Sequence, residues 1–235
     1  MPNNKIMNKK ISRLLSFWDE DRSLTVMLVL LLLFIFVFVP VLSRGRAGEI
    51  FIKIIYSVMM LTGILSVAKN KKSVIGIGIF AFISLIINWI SYVEPTVSVL
   101  IANDLGEIFF TFVFALVILI KTFKEGDITF QRIQGSIVVY LLMGMIFANV
   151  FHAIYLSTGA SSFNNINNLD LKEFLYYSFV TLTTVGYGDI SPVHPLARSL
   201  ANLEALIGQL YPAILIARLV SMEFESSNRK RQQNK

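Results

Sequence analysis

Six long apolar stretches, separated by short polar ones, run along the chain at residues 24–42, 50–68, 74–93, 97–120, 133–156 and 196–220. Each is about 20 residues or more, enough at the helical rise of ~1.5 Å per residue to cross ~30 Å of hydrocarbon. One such run is also what a buried core helix looks like. Six of them in 235 residues leave no polar surface for a soluble fold, so the pattern predicts transmembrane helices. A seventh apolar segment, 171–182, lies between the last two and is too short to span. Asp170 precedes it and Glu173 follows three residues on, the spacing of a capping box with Asp in place of Ser or Thr.

Composition agrees with this pattern. The chain is 55% hydrophobic and 15% charged, with a mean hydropathy of +0.67, outside the range of ordinary soluble domains. The net charge of +6 raises the question of nucleic acid, but its placement argues against it. Lys5, Lys9, Lys10, Arg13 and Arg22 lie before the first span, Lys69, Lys71 and Lys72 after the second, and Lys121, Lys124 and Arg132 after the fourth. Arg218, Arg229, Lys230, Arg231 and Lys235 close the chain. Only Arg44, Arg46, Lys53, Lys172 and Arg198 fall on the other side. This bias predicts that both termini are cytoplasmic and that the segment between spans five and six faces outward. No cysteine is present, so disulfides and Cys-based metal sites are ruled out. The first apolar run has no small-residue cleavage site behind it and reads as a retained span.

Ahead of that span, Ile11, Leu14, Leu15 and Trp18 recur at helical spacing, with Lys9, Lys10 and Arg13 on the opposite side. The arm reads either as an amphipathic helix lying on anionic lipid or as a short helix packed under the bundle.

The most informative residues are Thr183-Thr184-Val185-Gly186-Tyr187-Gly188-Asp189. Successive backbone carbonyls, with the Thr184 hydroxyl below them, suit a narrow lining that replaces the water shell of a cation. Glycine is needed at 186 and 188 because carbonyls that all point one way require dihedrals a Cβ disfavours. Gly-Tyr-Gly alone occurs in many loops; the full motif between a short helix and a span is far more specific. Together with Thr181-Leu182 before it, this segment resembles the signature of the tetrameric potassium channel superfamily. The likeness covers span, pore loop and span, about residues 133–220, and the first 130 residues carry no comparable signature.

The resemblance implies an all-α membrane protein with six transmembrane helices, four in an N-terminal bundle and two flanking a pore loop, assembled as a homotetramer around a central pore. One filter strand per chain cannot enclose an ion, and four around an axis can. Thr184 would then give carbonyl and hydroxyl to K+, Val185, Gly186 and Tyr187 would give carbonyls, and Gly188 would complete the strand. Asp189 would stand at the mouth, where four carboxylates concentrate cations. Thr183, Tyr177 and Glu204 are expected as filter support, with Tyr177 offering its hydroxyl to Asp189. Tyr176 and Tyr177 replace a Trp pair common in the superfamily, and Val180 stands where some members carry Glu.

Span four departs from voltage-gated relatives. A sensor needs basic residues at every third position, since each charge crossing the field contributes ~2.3 kcal/mol per 100 mV. Residues 97–120 contain no Lys or Arg, only Asp104 and Glu107 one turn apart. Weak voltage dependence is expected. Those two acids need partners within the hydrocarbon. Ion pairs to Arg44, Arg46 or Lys53 are weighted above a cation-attracting outer site.

In span six, Pro212 removes the bond to the carbonyl of Gly208, which predicts a kink there. An inner gate hinged at Gly208 and Pro212 and a static bend are equally compatible with it. Glu204 is mid-span and either packs behind the filter or lines the cavity. His152 reads as a packing residue.

The expected organisation is an N-terminal arm (1–23), a sensor-like bundle (24–120), a linker (121–132), a pore unit (133–221) and a tail (222–235). The reading is a passive K+ channel of the plasma membrane, with K+ as permeant ion and no cofactor. A transporter component and a non-conducting scaffold are the alternatives. With a tail so short, regulation is expected from the membrane part, from lipid or from a separate regulatory subunit.

Overall fold

In a computed structural model, the described residues are 20–42, 45–67, 71–122, 130–166 and 170–233. The N-terminal amphipathic segment and most of the 121–132 linker lie outside them. The described residues are mainly helical, with one two-residue strand pair and the irregular stretch after Leu182. Helix α1 (Glu20–Leu33) passes through a π-helical segment, Phe34–Phe38, into the short α2 (Val39–Leu42). The wide turn has a local cause. Pro40 has no N–H for the carbonyl four residues back, and a π segment is one way a helix absorbs that mismatch.

Helices α3 (Arg46–Val67), α4 (Lys71–Val93), α5 (Val97–Thr122) and α6 (Phe130–Thr158) follow. Then come the short α7 (Leu171–Leu182) and the long α8 (Pro195–Gln233). Each of the six apolar runs thus falls on helix, and α7 covers the expected 171–182. Among the described residues, four helices are long and apolar enough to cross a membrane: Leu24–Leu42, Val97–Ile120, Arg132–Thr158 and Pro195–Met222.

α6 is the organiser. It packs against α1, α5, α7 and α8, and Val138, Leu142, Met145, Ala148 and Phe151 along it are buried. The spacing of three to four residues between them is that of a helix face turned inward. Near its end an aromatic cluster forms: Phe151 and Phe163 meet Tyr177 edge-on at 5.0 and 5.5 Å, and Tyr155 meets Phe174 at 5.3 Å. Such edge-to-face pairs contribute about 0.5–1.5 kcal/mol each beyond area burial, and they fix α7 against α6. Strand β1 (Phe163–Asn164) pairs antiparallel with β2 (Ser191–Pro192), Phe163 opposite Pro192. This clip ties the segment before α7 to the segment after the 183–189 stretch.

Two glycines set the closest helix approaches. A Cβ on Gly144 of α6 would sit 2.7 Å from the ring of Phe179 on α7. A Cβ on Gly208 of α8 would overlap the carbonyl oxygen of Leu182, at the end of α7. Gly208 is therefore required by the approach of a backbone carbonyl, whatever part it plays in bending. α8 itself continues as one helix through Pro212. Gly208→Ala is expected to destabilise the protein by about 1–3 kcal/mol, the usual cost of overpacking. Urea unfolding of the purified protein in detergent, compared with Leu206→Ala on the exposed side of α8, checks this.

Candidate functional site

α7 begins at Asp170, whose Oδ1 accepts from the Lys172 N–H at 3.2 Å, while Lys172 Nζ lies 2.6 Å from Asp170 Oδ2. It ends in a way that shapes everything after it. The Thr184 N–H donates to the Thr181 carbonyl at 2.9 Å and the Val185 N–H to the Val180 carbonyl at 3.0 Å. These are the two bonds of a Schellman motif, in which the residue past the C-cap turns left-handed. That residue is Thr184, with φ +59°. Glycine normally fills this position, and a β-branched residue there carries strain of order 1–3 kcal/mol.

The alternation then continues, with Gly186 at φ +58° and Gly188 at +77°. Left-handed residues alternating with ordinary ones turn successive carbonyls toward the same side, which a β-strand does not do. The stretch 183–189 is exposed throughout, Val185 at 53% and Tyr187 at 71%. Among the described residues, none covers it.

Behind this stretch, Glu204 of α8 is wholly buried. Ser178 Oγ sits between two acceptors, 2.7 Å from the Gly144 carbonyl and 2.5 Å from Glu204 Oε1. One hydroxyl thus bridges α6, α7 and α8. Of the two sequence readings for Glu204, packing behind the stretch is the observed one. Tyr140 donates to the Leu182 carbonyl at 3.2 Å, and the Thr183 hydroxyl to the Phe179 carbonyl at 2.6 Å.

At the outer end, the tyrosine that reaches Asp189 is Tyr176, at 2.7 Å from Oδ2. The expectation for Tyr177 is corrected: it is buried against Phe151 and Phe163. The reason is helical phase. Phe174, Tyr177 and Ser178 share the inward face of α7, and Tyr176 points off it. Asp189 also accepts from the Ile190 N–H at 3.0 Å, and its carbonyl accepts from Asn165 Nδ2 at 2.7 Å.

The acids of α5 also find other partners than expected. Asp104 Oδ2 lies 2.8 Å from His152 Nδ1 on α6, and the His152 ring packs on Phe174. Glu107 Oε1 accepts from Asn88 and Asn103. Lys53 gives its hydrogen bonds to the Asn88 carbonyl and Ser91 Oγ. The α5 acids are thus joined to the neighbouring helices α4 and α6, where the sequence pointed to the first loop. His152, read as a packing residue, also stands beside Asp104.

Set against known proteins, residues 136–225 match the family Ion_trans_2, described as Ion channel. The match holds α6, α7, the 183–189 stretch and the apolar part of α8. The chain is 35% identical over 95 residues to Protein LctB of Geobacillus stearothermophilus, 40% of this chain and 64% of that one. It is 30% identical over 99 residues to Two pore potassium channel a of Oryza sativa subsp. japonica, 42% of this chain and 26% of that protein. With Inward rectifier potassium channel Kirbac3.1 of Paramagnetospirillum magnetotacticum it shares 34% over 76 residues, 32% and 24% of the two chains. The chain therefore spans just under two thirds of the LctB proteins and about a quarter of these channels. No solved structure matches it. The family match covers α6 through most of α8, and the relatives include potassium channels. With four helices among the described residues long and apolar enough to cross a membrane, the chain is a multi-pass membrane protein.

The phenol of Tyr176 holds the Asp189 carboxyl below its ordinary 3.8. A depressed carboxyl pKa adds stability that is present above the ordinary value and lost as pH falls through the folded one. Tyr176→Phe is therefore expected to lower the unfolding midpoint at pH 7 and to converge on wild type as pH falls below the ordinary carboxyl range. Unfolding curves of both proteins across pH 2–7 check it.

Proposed function

We propose that this protein is a potassium-selective channel that conducts K+ passively, with Thr184, Val185, Gly186 and Tyr187 presenting carbonyls to the ion and Thr184 its hydroxyl. The observation that carries the reading is the alternating left-handed backbone at Thr184, Gly186 and Gly188. Carbonyls turned to one side of a single uncovered strand are what a filter shared among copies requires. Thr183 and Glu204 support it from behind through α7. Asp189 stands at the mouth, held by Tyr176.

A homotetramer follows from the same observation. The strand is exposed in one chain, and so are Leu203, Leu206, Leu210 and Ile214 on α8. Four copies around an axis give the strands a common lumen and give the exposed faces neighbours or lipid. Six spans, with the termini on the cytoplasmic side of the plasma membrane and the filter outside, agree with the distribution of Lys and Arg. In this arrangement residues 24–120 are a bundle without gating charges, and conduction depends little on voltage. The α7 carbonyl end points the negative pole of its dipole toward the 183–189 stretch, which favours a cation there.

Purified protein in K+-loaded liposomes tests the proposal. Efflux of K+ at least about tenfold faster than of Na+ is expected, and a current–voltage relation in the same bilayer without a steep opening threshold. Absence of flux, or Na+ passing equally well, would remove the channel reading. A steep threshold would remove only the claim about voltage.

The inner gate is placed where Pro212 leaves the Gly208 carbonyl without its helical partner. Pro212→Ala restores that partner and is expected to shift open probability by severalfold in single-channel recording. Unchanged opening would leave the bend a static feature.

A further inference from the structure

A second site lies away from the 183–189 stretch. Helices α3, α4, α5, α6 and the start of α7 enclose a cavity of about 570 Å³. It lies toward the Asp170 end of α7 and is lined by apolar groups such as Phe34, Leu100 and Leu175 together with polar ones. Its polar wall has one consistent chemistry. Asn88 spends its amide N–H on Glu107 Oε1, Asn103 does the same, and Asn149 spends its own on the Met145 carbonyl. In these bonds the amide nitrogens face the acceptors, and the remaining atom of each side chain is a carbonyl oxygen. All three oxygens are buried and carry no hydrogen-bond partner. Asn88 and Asn149 are 3% and 2% exposed.

Buried acceptors left unpaired are costly, and here they stand beside Asp104 and Glu107. Lys53 also lines the cavity, and its hydrogen bonds go to the Asn88 main-chain carbonyl and Ser91. The lining holds four acids, Glu49, Asp104, Glu107 and Asp170, against Lys53, Lys172 and His152, with the Tyr56 hydroxyl also unpaired.

We propose that this cavity binds a small organic ammonium ion, its N–H donors meeting Asn88, Asn103, Asn149 and the two carboxylates, and its apolar body against Phe34, Leu100 and Leu175. The volume suits a compact amine with a ring and far exceeds that of a bare metal ion. The cavity also reaches the pore half directly. Asn149 and His152 belong to α6, and Leu171, Lys172 and Leu175 to α7, so an occupant touches both the N-terminal bundle and the helix that carries the 183–189 stretch. Binding stands by itself; its effect on conduction rests on the channel reading above.

The test uses benzylammonium as probe and benzyl alcohol as its neutral counterpart, titrated into the full-length protein in detergent by calorimetry. Saturable binding of benzylammonium and none of the alcohol are expected. Asn149→Leu should weaken it by at least about tenfold, the scale of one lost hydrogen bond to a charged group. If Asn149→Leu does not fold, Asn103→Leu, at a half-buried position, replaces it. Equal binding of the two probes would overturn the proposal, because shape alone would then explain it. Affinity unchanged in the Asn variants but lost in Asp189→Asn would also overturn it, by placing the amine at the mouth. In liposomes, saturating benzylammonium is expected to change K+ flux at least about twofold in wild type and not in Asn149→Leu. Binding without that change removes the coupling alone. Protein that binds the amine but passes no ion removes the channel reading and leaves the site.

Discussion

The pore half depends on how the carbonyl end of α7 is gripped. Gly208 lets α8 come against the Leu182 carbonyl, Gly144 lets α6 close on Phe179, and Ser178 links both through Glu204. Protein interiors are close-packed and transmit small displacements, so these contacts fix where the helix ends. The Schellman bonds at Thr184 and Val185 then fix the direction in which the chain leaves it. The backbone of 183–189 therefore inherits its starting position from three helices, and Asn165 and Tyr176 hold its far end at Asp189. Its exposure and its order are compatible for that reason.

Much of this was legible in the sequence because the relevant signals are local. Asp170 as cap and the 171–182 apolar run gave α7 its bounds, and Gly186 and Gly188 signalled the left-handed backbone. Thr184 was harder. No residue preference points to a β-branched residue at φ +59°, and only the Schellman geometry at the helix end explains it. Tyr176 and Tyr177 illustrate a signal that was present and underused: the inward stripe Phe174, Tyr177, Ser178 follows helical period and leaves Tyr176 to face the mouth.

The polar network of the first four helices was less readable, since its pairs are distant in sequence. Asp104 and His152 are on different helices, 48 positions apart, and no local pattern hints that they meet. The basic residues of the first loop were nearer in topology, but Lys53 turned to α4 instead. Gly208 shows a different limit. Its place four residues before Pro212 suggested flexibility, while the observed requirement is space for a carbonyl that belongs to another helix.

α8 runs unbroken for 39 residues, about 58 Å at the helical rise, roughly twice the thickness of the hydrocarbon core. One end lies beside the β1–β2 clip, and the helix meets the carbonyl end of α7 at Gly208. A sideways load on the far end of so long a rod is borne at that contact, where the reaction force exceeds the force applied.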